Sequence, residues 1–160
     1  MSLARAEIER CDWDSIECGC GRSARHLAEL LESLIEGSAG AGAIRALDDH
    51  VFIQSNLMAP APAVCSVAMA MLADGVSVNR IDDVLWLILW LAAGEEDGDS
   101  IEASRYWQCV ERIRDGLWLI YRELFDARSA AAIGYANDIL EIIEWDPMRL
   151  QSYRRICGLE

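Results

Sequence analysis

Residues 47–72 read LDDHVFIQSNLMAPAPAVCSVAMAML, and the pattern of this stretch decides the predicted fold. Apolar side chains at helical spacing from Leu47 onward predict one amphipathic helix, which a polar break at residues 54–56 ends. Pro60 and Pro62 then stand where a second helix begins, because the fixed φ of proline suits the first turn of a helix. Two helices joined by a short turn form the unit that α-solenoids stack.

The second helix of this unit has a clear apolar stripe and a clear end. Its inward residues follow helical spacing and are Val64, Val67, Ala68, Met71 and Leu72. Gly75 is predicted to end this helix, because glycine readily adopts the left-handed backbone conformation of a helix C-terminus.

Helix pairs separated by short turns recur along the rest of the chain. Ser77, Ser100 and Asp146 are predicted to begin helices, and the helix from Ser100 is expected to reach residue 125. No segment alternates apolar and polar residues as a half-buried strand does, so we expect no sheet. The sequence therefore predicts one all-α domain over residues 1–160, a right-handed α-solenoid or HEAT-like stack of about seven or eight helices.

The most apolar segment is residues 84–93, VLWLILWLAA. It is too short to span a bilayer, so we expect a buried central helix and no membrane association. Trp86 and Trp90 lie one turn apart and are predicted to pack between neighbouring helices. Gly94 is expected to end this helix.

The charge balance is strongly acidic. The formal net charge is −13, from 27 acidic residues against 14 arginines, and lysine is absent. Nucleic acid is therefore excluded as a partner, because binding it requires clustered cations that displace counterions. An acidic surface favours a basic protein partner and electrostatically steered association.

The acidic residues concentrate between residues 81 and 104, where no arginine interrupts them. The members of this acidic segment are Asp82, Asp83, Glu95, Glu96, Asp97, Asp99 and Glu102. Trp107 follows closely, and an aromatic side chain beside an acidic rim is the composition expected of a partner-binding surface. The alternative is that Trp107 packs on an adjacent helix and the acidic segment is merely solvated.

Six cysteines raise the question of disulfides. The first residues, MSLARAEIERCDWD, contain no apolar core of signal-peptide length, so we expect a cytoplasmic, reducing location and free thiols. Cys65 and Cys109 lie in apolar helical stretches and are predicted to be small core residues.

The remaining N-terminal cysteines raise the question of a metal. Cys11, Cys18, Cys20 and His26 offer the thiolate and imidazole donors of a tetrahedral zinc site. Their spacing does not match a zinc ribbon or finger, which usually pairs two C-x₂-C units. Incidental thiols at a glycine turn are therefore the preferred interpretation, and no metal or cofactor is predicted.

Signals of catalysis are absent from the sequence. The chain has two histidines, expected on separate helices, and it lacks a nucleophile elbow, a phosphate loop and an HExxH motif. Asp48-Asp49 and Asp82-Asp83 are paired carboxylates, but the Glu-x-x-His motif of helical di-metal sites is missing. We therefore expect no catalytic residues and no small-molecule substrate.

Several stretches resemble a bacterial family of small HEAT-like-repeat proteins. They comprise Trp13, HLAELLESL at 26–34, HVFIQSNLMAPAPAV at 50–64, WLILWLAAGE at 86–95 and IYRELFDARSAAA at 120–132. The resemblance covers residues 13–143. The chain departs from the family pattern at Ser55, where the family has glycine, and at Cys65, where it has proline.

Members of that family are commonly encoded beside bacterial polymorphic toxins. The resemblance therefore implies an immunity protein that binds a cognate basic toxin domain stoichiometrically and occludes it. It brings no catalytic residues, and His50 and Gln54, which match the family motif, are interpreted as structural residues of the inter-helix turn. The alternatives are a generic scaffold that joins two cellular proteins and a metal-dependent hydrolase that uses the acidic pairs.

Overall fold

A computed structural model describes residues 1–96 and 104–159 of the protein. The chain is mostly helical, as predicted, with a small two-stranded hairpin. The elements in order are α1 (Leu3–Arg10), α2 (Arg25–Glu36), a 3₁₀ helix (Ala43–Leu47), β1 (Phe52–Ile53), β2 (Asn56–Leu57), α3 (Ala61–Asp74), α4 (Val78–Ala93), α5 (Arg105–Asp115), α6 (Leu117–Asp126), α7 (Ala130–Ile143) and α8 (Pro147–Ile156). None of the helices described here is long and apolar enough to cross a membrane.

Helix α3 lies at the centre of the packing. Its buried side chains extend from Ala61 to Leu72 and cover more than half of the helix circumference, whereas Ala63, Ser66 and Ala70 form a half-buried stripe. Helices α1, α4 and α5 all contact it. Most of its side chains are small or unbranched, which allows neighbouring helices to approach closely.

Helix α4 forms the second wall of the core and confirms the central helix predicted from residues 84–93. It contacts α3, α5 and α7, and α7 in turn packs on α6. Eight of its side chains are buried, from Ile81 to Ala92. Gly94 lies directly against the buried side chain of Leu57, so a β-carbon at this position would collide with it.

The predicted helix from Leu47 into the polar break is wrong. Only the 3₁₀ helix reaches Leu47, and Phe52–Ile53 pairs antiparallel with Asn56–Leu57. Gln54 and Ser55 both adopt positive φ, 50° and 74°, which is the backbone of a tight two-residue hairpin turn. The expectation of no sheet is therefore also wrong.

Residues that favour extended backbone explain this difference. Val51, Phe52 and Ile53 are β-branched or aromatic, and such side chains pack well on a pleated surface. The main chain of Glu95 extends the hairpin, since the Leu57 amide donates to its carbonyl at 2.9 Å and its own amide donates to Ser55 at 2.7 Å.

Several helix boundaries also differ from the prediction. The long helix expected up to residue 125 is divided at Gly116, where a β-carbon would collide with the end of the Met69 side chain of α3. Ser104 caps α5, whereas the predicted start at Ser100 lies outside the described residues. Asp146 caps α8 through the Arg149 amide, as predicted. Ser77 precedes α4, also as predicted, without a side-chain cap bond.

A buried ion pair fastens α6 to the turn between α3 and α4. Glu123 is fully buried and binds the guanidinium groups of Arg122 and Arg128. Arg122 also donates to the Leu72 carbonyl at 2.6 Å, and Arg128 donates to the Val76 carbonyl at 2.5 Å. Both carbonyls flank the end of α3, so this cluster closes that end of the core.

Removing the central carboxylate is expected to destabilise the fold strongly. Glu123→Ala leaves the charge of Arg128 without its partner and should lower the free energy of unfolding by about 3 kcal/mol. Glu141→Ala removes an exposed carboxylate paired with Arg154 and should cost less than about 1 kcal/mol. Urea denaturation of the two variants measures the difference, and equal losses would contradict this role for Glu123.

A second polar cluster joins α6, α7 and α8. Glu144, whose side chain is 1% exposed, accepts hydrogen bonds from Arg149 at 2.7 and 2.8 Å and from the Tyr121 hydroxyl at 2.6 Å. Arg149, and then Tyr121 and the Asp146 amide, lower the pKa of Glu144 to about 2 although burial opposes this. Burial, and then the Glu144 charge, raise the pKa of Tyr121.

This pKa shift predicts part of the acid sensitivity of the protein. Because the pKa of Glu144 is lower in the folded state, its contribution is complete above the unfolded value near 4.5 and is lost as the pH falls toward 2. The stability advantage of the wild type over Glu144→Gln should therefore shrink by up to about 3 kcal/mol as the pH falls from about 6 to about 2. Urea denaturation of both proteins at several pH values measures this difference in the free energy of unfolding. A pH-independent difference would contradict the prediction.

Candidate functional site

A short hairpin-like loop holds two of the cysteines on one side of the protein. Glu17 and Ser23 form an antiparallel bridge, and the Cys18 amide donates to the Arg22 carbonyl at 2.7 Å. The sequence between them is Cys18-Gly19-Cys20-Gly21, and Gly21 adopts φ +79°, which closes the loop. The thiols of Cys18 and Cys20 are thereby brought close together.

Gly19 seats this loop on the segment before β1. Its amide donates to the His50 carbonyl at 3.0 Å. A β-carbon on Gly19 would lie 2.8 Å from the same oxygen and 3.1 Å from the Asp49 carbonyl. The close approach of the two backbones therefore requires glycine.

Four potential metal ligands converge beside this contact. The Cys18 sulfur lies 3.2 Å from His50 Nδ1 and 3.5 Å from His26 Nε2, and the two imidazole nitrogens are 3.3 Å apart. The Cys20 sulfur lies 3.9 Å from His26 Nε2. All four donor atoms lie within 4.8 Å of one another, with Cys18 buried and Cys20 exposed. We call Cys18, Cys20, His26 and His50 the thiol–imidazole cluster.

The orientation of His26 is fixed by the backbone. Its Nδ1 lies 2.9 Å from the Ser23 carbonyl, which only accepts hydrogen bonds, so Nδ1 carries the proton. Nε2 therefore presents its lone pair to the cluster. His26 stands in the first turn of α2, whose N-terminal residues continue directly from the cysteine loop.

The two thiols differ in their electrostatic surroundings. Burial raises the pKa of Cys18, although the Cys20 amide hydrogen bond opposes this. Hydrogen bonds from the Arg22 side chain and amide lower the pKa of the exposed Cys20 to about 6. Cys20 is therefore the thiol that ionises more readily.

The ligands in this cluster differ from the four that the sequence suggested for a zinc site. Cys18, Cys20 and His26 come together, whereas Cys11 lies in a groove with Ile16 and Pro62 and is not part of the cluster. His50 takes the fourth position. Sequence reasoning placed His50 on a helix and gave it only a structural role, because the hairpin was not recognised.

Signals that point to the cluster were present in the sequence. The two histidines are the only ones in the chain, and Cys18-Gly19-Cys20 places two thiols two residues apart. Across residues 1–96 and 104–159, no second group of three or more metal-ligating side chains occurs. The pairs Asp48-Asp49 and Asp82-Asp83 accordingly belong to no such group.

The cysteines outside the cluster behave as predicted. Cys65 and Cys109 are fully buried in the core, and all six cysteines are free thiols. The Cys65 sulfur donates to the Cys109 carbonyl at 3.6 Å, which connects α3 to α5. These two cysteines therefore pack in the core between α3 and α5.

The structure gives several of the predicted partner-binding acids internal contacts. Asp82 accepts a hydrogen bond from Ser129, the N-cap of α7. Glu96 accepts the Tyr106 amide at 3.3 Å and lies 3.7 Å from Arg105, at the beginning of α5. Burial would raise the pKa of Glu96, but hydrogen bonds from Ser104 and the α5 amides lower it.

The other predicted acids divide into two groups. Glu95 is exposed and Asp83 is half-buried. Asp97, Asp99 and Glu102 lie outside the described residues. A partner-binding role for the acidic segment stays a prediction, with Glu95 and Asp83 as its described members whose side chains make no hydrogen bond or ion pair within the described residues.

Trp107 is less available than expected, and another tryptophan is more available. Trp107 is half-buried against the core beside Tyr106. Trp90, predicted to be packed between helices, is 38% exposed instead and lies five residues before Glu95 in the sequence. Its ring stacks on Phe52 at a centroid distance of 5.5 Å. Trp90 is thus the exposed aromatic residue beside the acidic segment.

A second exposed aromatic surface lies at the other end of the chain. Trp118 is 59% and Trp145 is 72% exposed, and each ring lies near an arginine side chain, Arg149 and Arg114 respectively. An arginine also lies near Trp90, since the Arg45 guanidinium is 3.6 Å from the centroid of the neighbouring Trp86 ring. The two surfaces differ because Trp90 stands within the acidic segment of the sequence.

No model of a known protein family matches this chain, and neither the curated proteins nor the solved structures gave a significant match. The resemblance to HEAT-like immunity proteins therefore stays a prediction. The functional interpretation depends on the geometry of the thiol–imidazole cluster and of the surface around Trp90.

The close approach at Gly19 leads to a stability prediction. Gly19→Ala should destabilise the protein by about 2 kcal/mol, because a backbone carbonyl rather than a flexible side chain blocks the new methyl group. Gly40→Ala is the matched control, since a β-carbon there meets open space and φ is not positive. Thermal unfolding measures both. A Gly19→Ala variant as stable as Gly40→Ala would contradict the described contact.

Proposed function

We propose that this protein is a cytoplasmic immunity protein that binds a basic bacterial toxin domain stoichiometrically and occludes it. It has no catalytic activity of its own in this proposal. The observation that carries the proposal is the exposed Trp90 ring beside an acidic segment without arginine. The family resemblance supplies the biological context.

Charge supports a basic protein as the occupant of this surface. Of the net charge of −13, the residues from 81 to 104 contribute −7, from seven acids and no arginine. Arg105 offsets the charge of Glu96, and the remaining local negative charge steers an oppositely charged partner and raises its association rate. Nucleic acid and anionic lipid would be repelled by the same field.

Packing supports Trp90 as an anchor. Phe52 stacks beneath one side of its ring, and the Trp86 ring lies 6.1 Å away. An aromatic ring held in place before binding loses little conformational freedom when a partner covers it. Tryptophan is also among the residues most enriched at binding hot spots.

The helix arrangement is compatible with a HEAT-like stack. The odd-numbered helices contact one another in succession, α1 with α3, α3 with α5 and α5 with α7. Stacked helix pairs produce such a row, together with a second row of the alternate helices. Among the described elements the even-numbered helices form no comparable row, and α4 packs on α7 instead. We propose that this row and the surface of α4 form the scaffold on which the toxin docks.

The competing functions receive less support from the contacts. A hydrolase that used the acidic pairs would need both carboxylates of a pair available, whereas Asp82 binds Ser129 and Asp48 accepts the amide of Asp49. A generic scaffold, in contrast, would not bind a toxin preferentially and would not protect cells that express the toxin.

Co-expression tests the proposed function. An immunity gene should follow a toxin gene, so the toxin domain encoded directly upstream of this chain is the partner to use. We expect its expression to arrest growth of a host cell and expect this chain to restore growth by forming a one-to-one complex. Failure to protect, with both proteins soluble and folded, would overturn the proposal and leave the scaffold function.

Substitutions at the surface locate the interface. Trp90→Ala should raise the dissociation rate of the toxin complex about 30-fold, because it removes a desolvated anchor worth about 2 kcal/mol. Trp118→Ala removes an equally large exposed ring from the other aromatic surface and should leave the rate unchanged. The opposite ranking would place the toxin on the surface around Trp118.

Charge neutralisation tests steering separately. Asp83→Asn combined with Glu95→Gln should slow association several-fold at low salt and leave dissociation nearly unchanged. Glu9→Gln combined with Glu32→Gln changes the net charge equally, but at exposed positions of α1 and α2. Stopped-flow binding at two salt concentrations compares the pairs. Equal slowing by both would show that only the net charge matters.

A further inference from the structure

We infer that Cys18, Cys20, His26 and His50 bind one Zn²⁺ ion in a closed, tetrahedral, structural site. This site is independent of the proposed toxin-binding surface. It is carried by the positions of four donor atoms that come from three separate segments of the chain.

The distances between the donor atoms match a tetrahedron around zinc. Zinc–sulfur bonds of about 2.3 Å and zinc–nitrogen bonds of about 2.05 Å give edges of about 3.4 Å between nitrogens and about 3.5 Å between sulfur and nitrogen. The nitrogen–nitrogen distance here is 3.3 Å, and the sulfur–nitrogen distances are 3.2, 3.5 and 3.9 Å. Four of the six distances between donor atoms are therefore close to these edges, and the other two are at most 4.8 Å, so the four atoms surround a space in which one ion could bind.

Hydrogen bonding alone does not account for this arrangement. Since Nδ1 of His26 donates to the Ser23 carbonyl, Nε2 has a single lone pair. Three donors approach that lone pair, the sulfurs of Cys18 and Cys20 and the Nδ1 of His50, and only one of them can donate to it. A cation at the centre of the cluster satisfies all four groups together.

The donor types select the metal and the kind of site. Two thiolates and two imidazoles in a tetrahedral arrangement favour zinc over oxygen-preferring cations such as Mg²⁺ and Ca²⁺. Four protein ligands leave no open position for water or substrate, so the site is structural and not catalytic.

The groups around the ligands support metal binding. The Ser23 carbonyl holds the His26 ring in the tautomer that binds metal through Nε2, which is the usual outer-shell arrangement of a ligating histidine. Cys20 is exposed and provides the path by which the ion enters.

Zinc at this position would tie together three segments that have little regular structure. The cysteines lie in the loop at residues 16–24, His26 opens α2, and His50 lies between the 3₁₀ helix and β1. Metal binding to the folded chain adds stability that the unfolded chain does not receive.

Metal analysis of the untagged chain, purified and reloaded with Zn²⁺, tests the inference. We expect about one tightly held zinc per chain, falling below about 0.1 in Cys20→Ser. That substitution is exposed and conservative, so circular dichroism should show an intact helical fold. Cys11→Ser, which alters the cysteine outside the cluster, should retain one zinc.

Two further measurements keep the test independent of folding. Cobalt substitution should give thiolate-to-metal charge transfer and the intense visible bands of tetrahedral coordination in wild type and Cys11→Ser. His50→Gln should lose them. Chelator should lower the unfolding temperature of wild type and Cys11→Ser but not of folded Cys20→Ser.

Three results would overturn the inference. The first is a wild-type chain that holds no zinc after reloading. The second is full zinc retention in both Cys20→Ser and His50→Gln. The third is a Cys18–Cys20 disulfide in the protein purified with thiol reductant, detected as a mass lower by two hydrogen atoms.

Discussion

Burial of most of the surface of α3 is the constraint on which the rest of the packing depends. A helix whose buried side chains run from Ala61 to Leu72 over more than half of its circumference has to be covered by several neighbours. Helices α4 and α5 follow α3 along the chain and cover two of its sides, whereas α1 comes from the N-terminal end. The segment between α1 and α3 therefore has to leave α1 in contact with α3, and it consists of α2, the 3₁₀ helix, the two-stranded hairpin and the turns between them.

Specific contacts hold those turns in addition to their buried side chains, which include Trp13, Leu47 and Phe52. The indole of Trp13 donates to the Ile8 carbonyl at 2.9 Å, Gly19 rests on the His50 carbonyl, and the hairpin packs Phe52 beneath Trp90. The thiol–imidazole cluster lies where the cysteine loop, the start of α2 and the segment before β1 meet. Structural metal ions commonly serve small elements whose hydrophobic core is insufficient. The same hairpin also supports the proposed toxin-binding ring, so the N-terminal half stabilises that surface.

Sequence periodicity predicted the helices well wherever one long face is buried. The apolar stripes of α3 and α4 and the Asp146-Pro147 start of α8 were recognisable because packing and capping agree there. The stretch from Leu47 to Leu57 was misread, since its few apolar residues fit a helical spacing as well as a strand. Gly116 was read as a helix interior because its contact with Met69 is a tertiary feature that spacing does not reveal.

The candidate sites depended even more on tertiary structure. The sequence placed Trp107 after the acidic segment but did not show which neighbour covers it, and within the acidic segment Trp90 is the exposed ring. The cluster was missed for a related reason. Cys18, Cys20 and His26 are close in sequence, whereas His50 joins them only because the hairpin turns the chain back toward the cysteine loop.

X-ray absorption spectroscopy of the zinc-loaded, untagged protein tests the thiol–imidazole cluster most directly. We expect a first shell of two sulfur atoms at about 2.3 Å and two nitrogen atoms at about 2.0 Å. A first shell made only of nitrogen and oxygen, or one with a single sulfur, would contradict the site formed by Cys18, Cys20, His26 and His50.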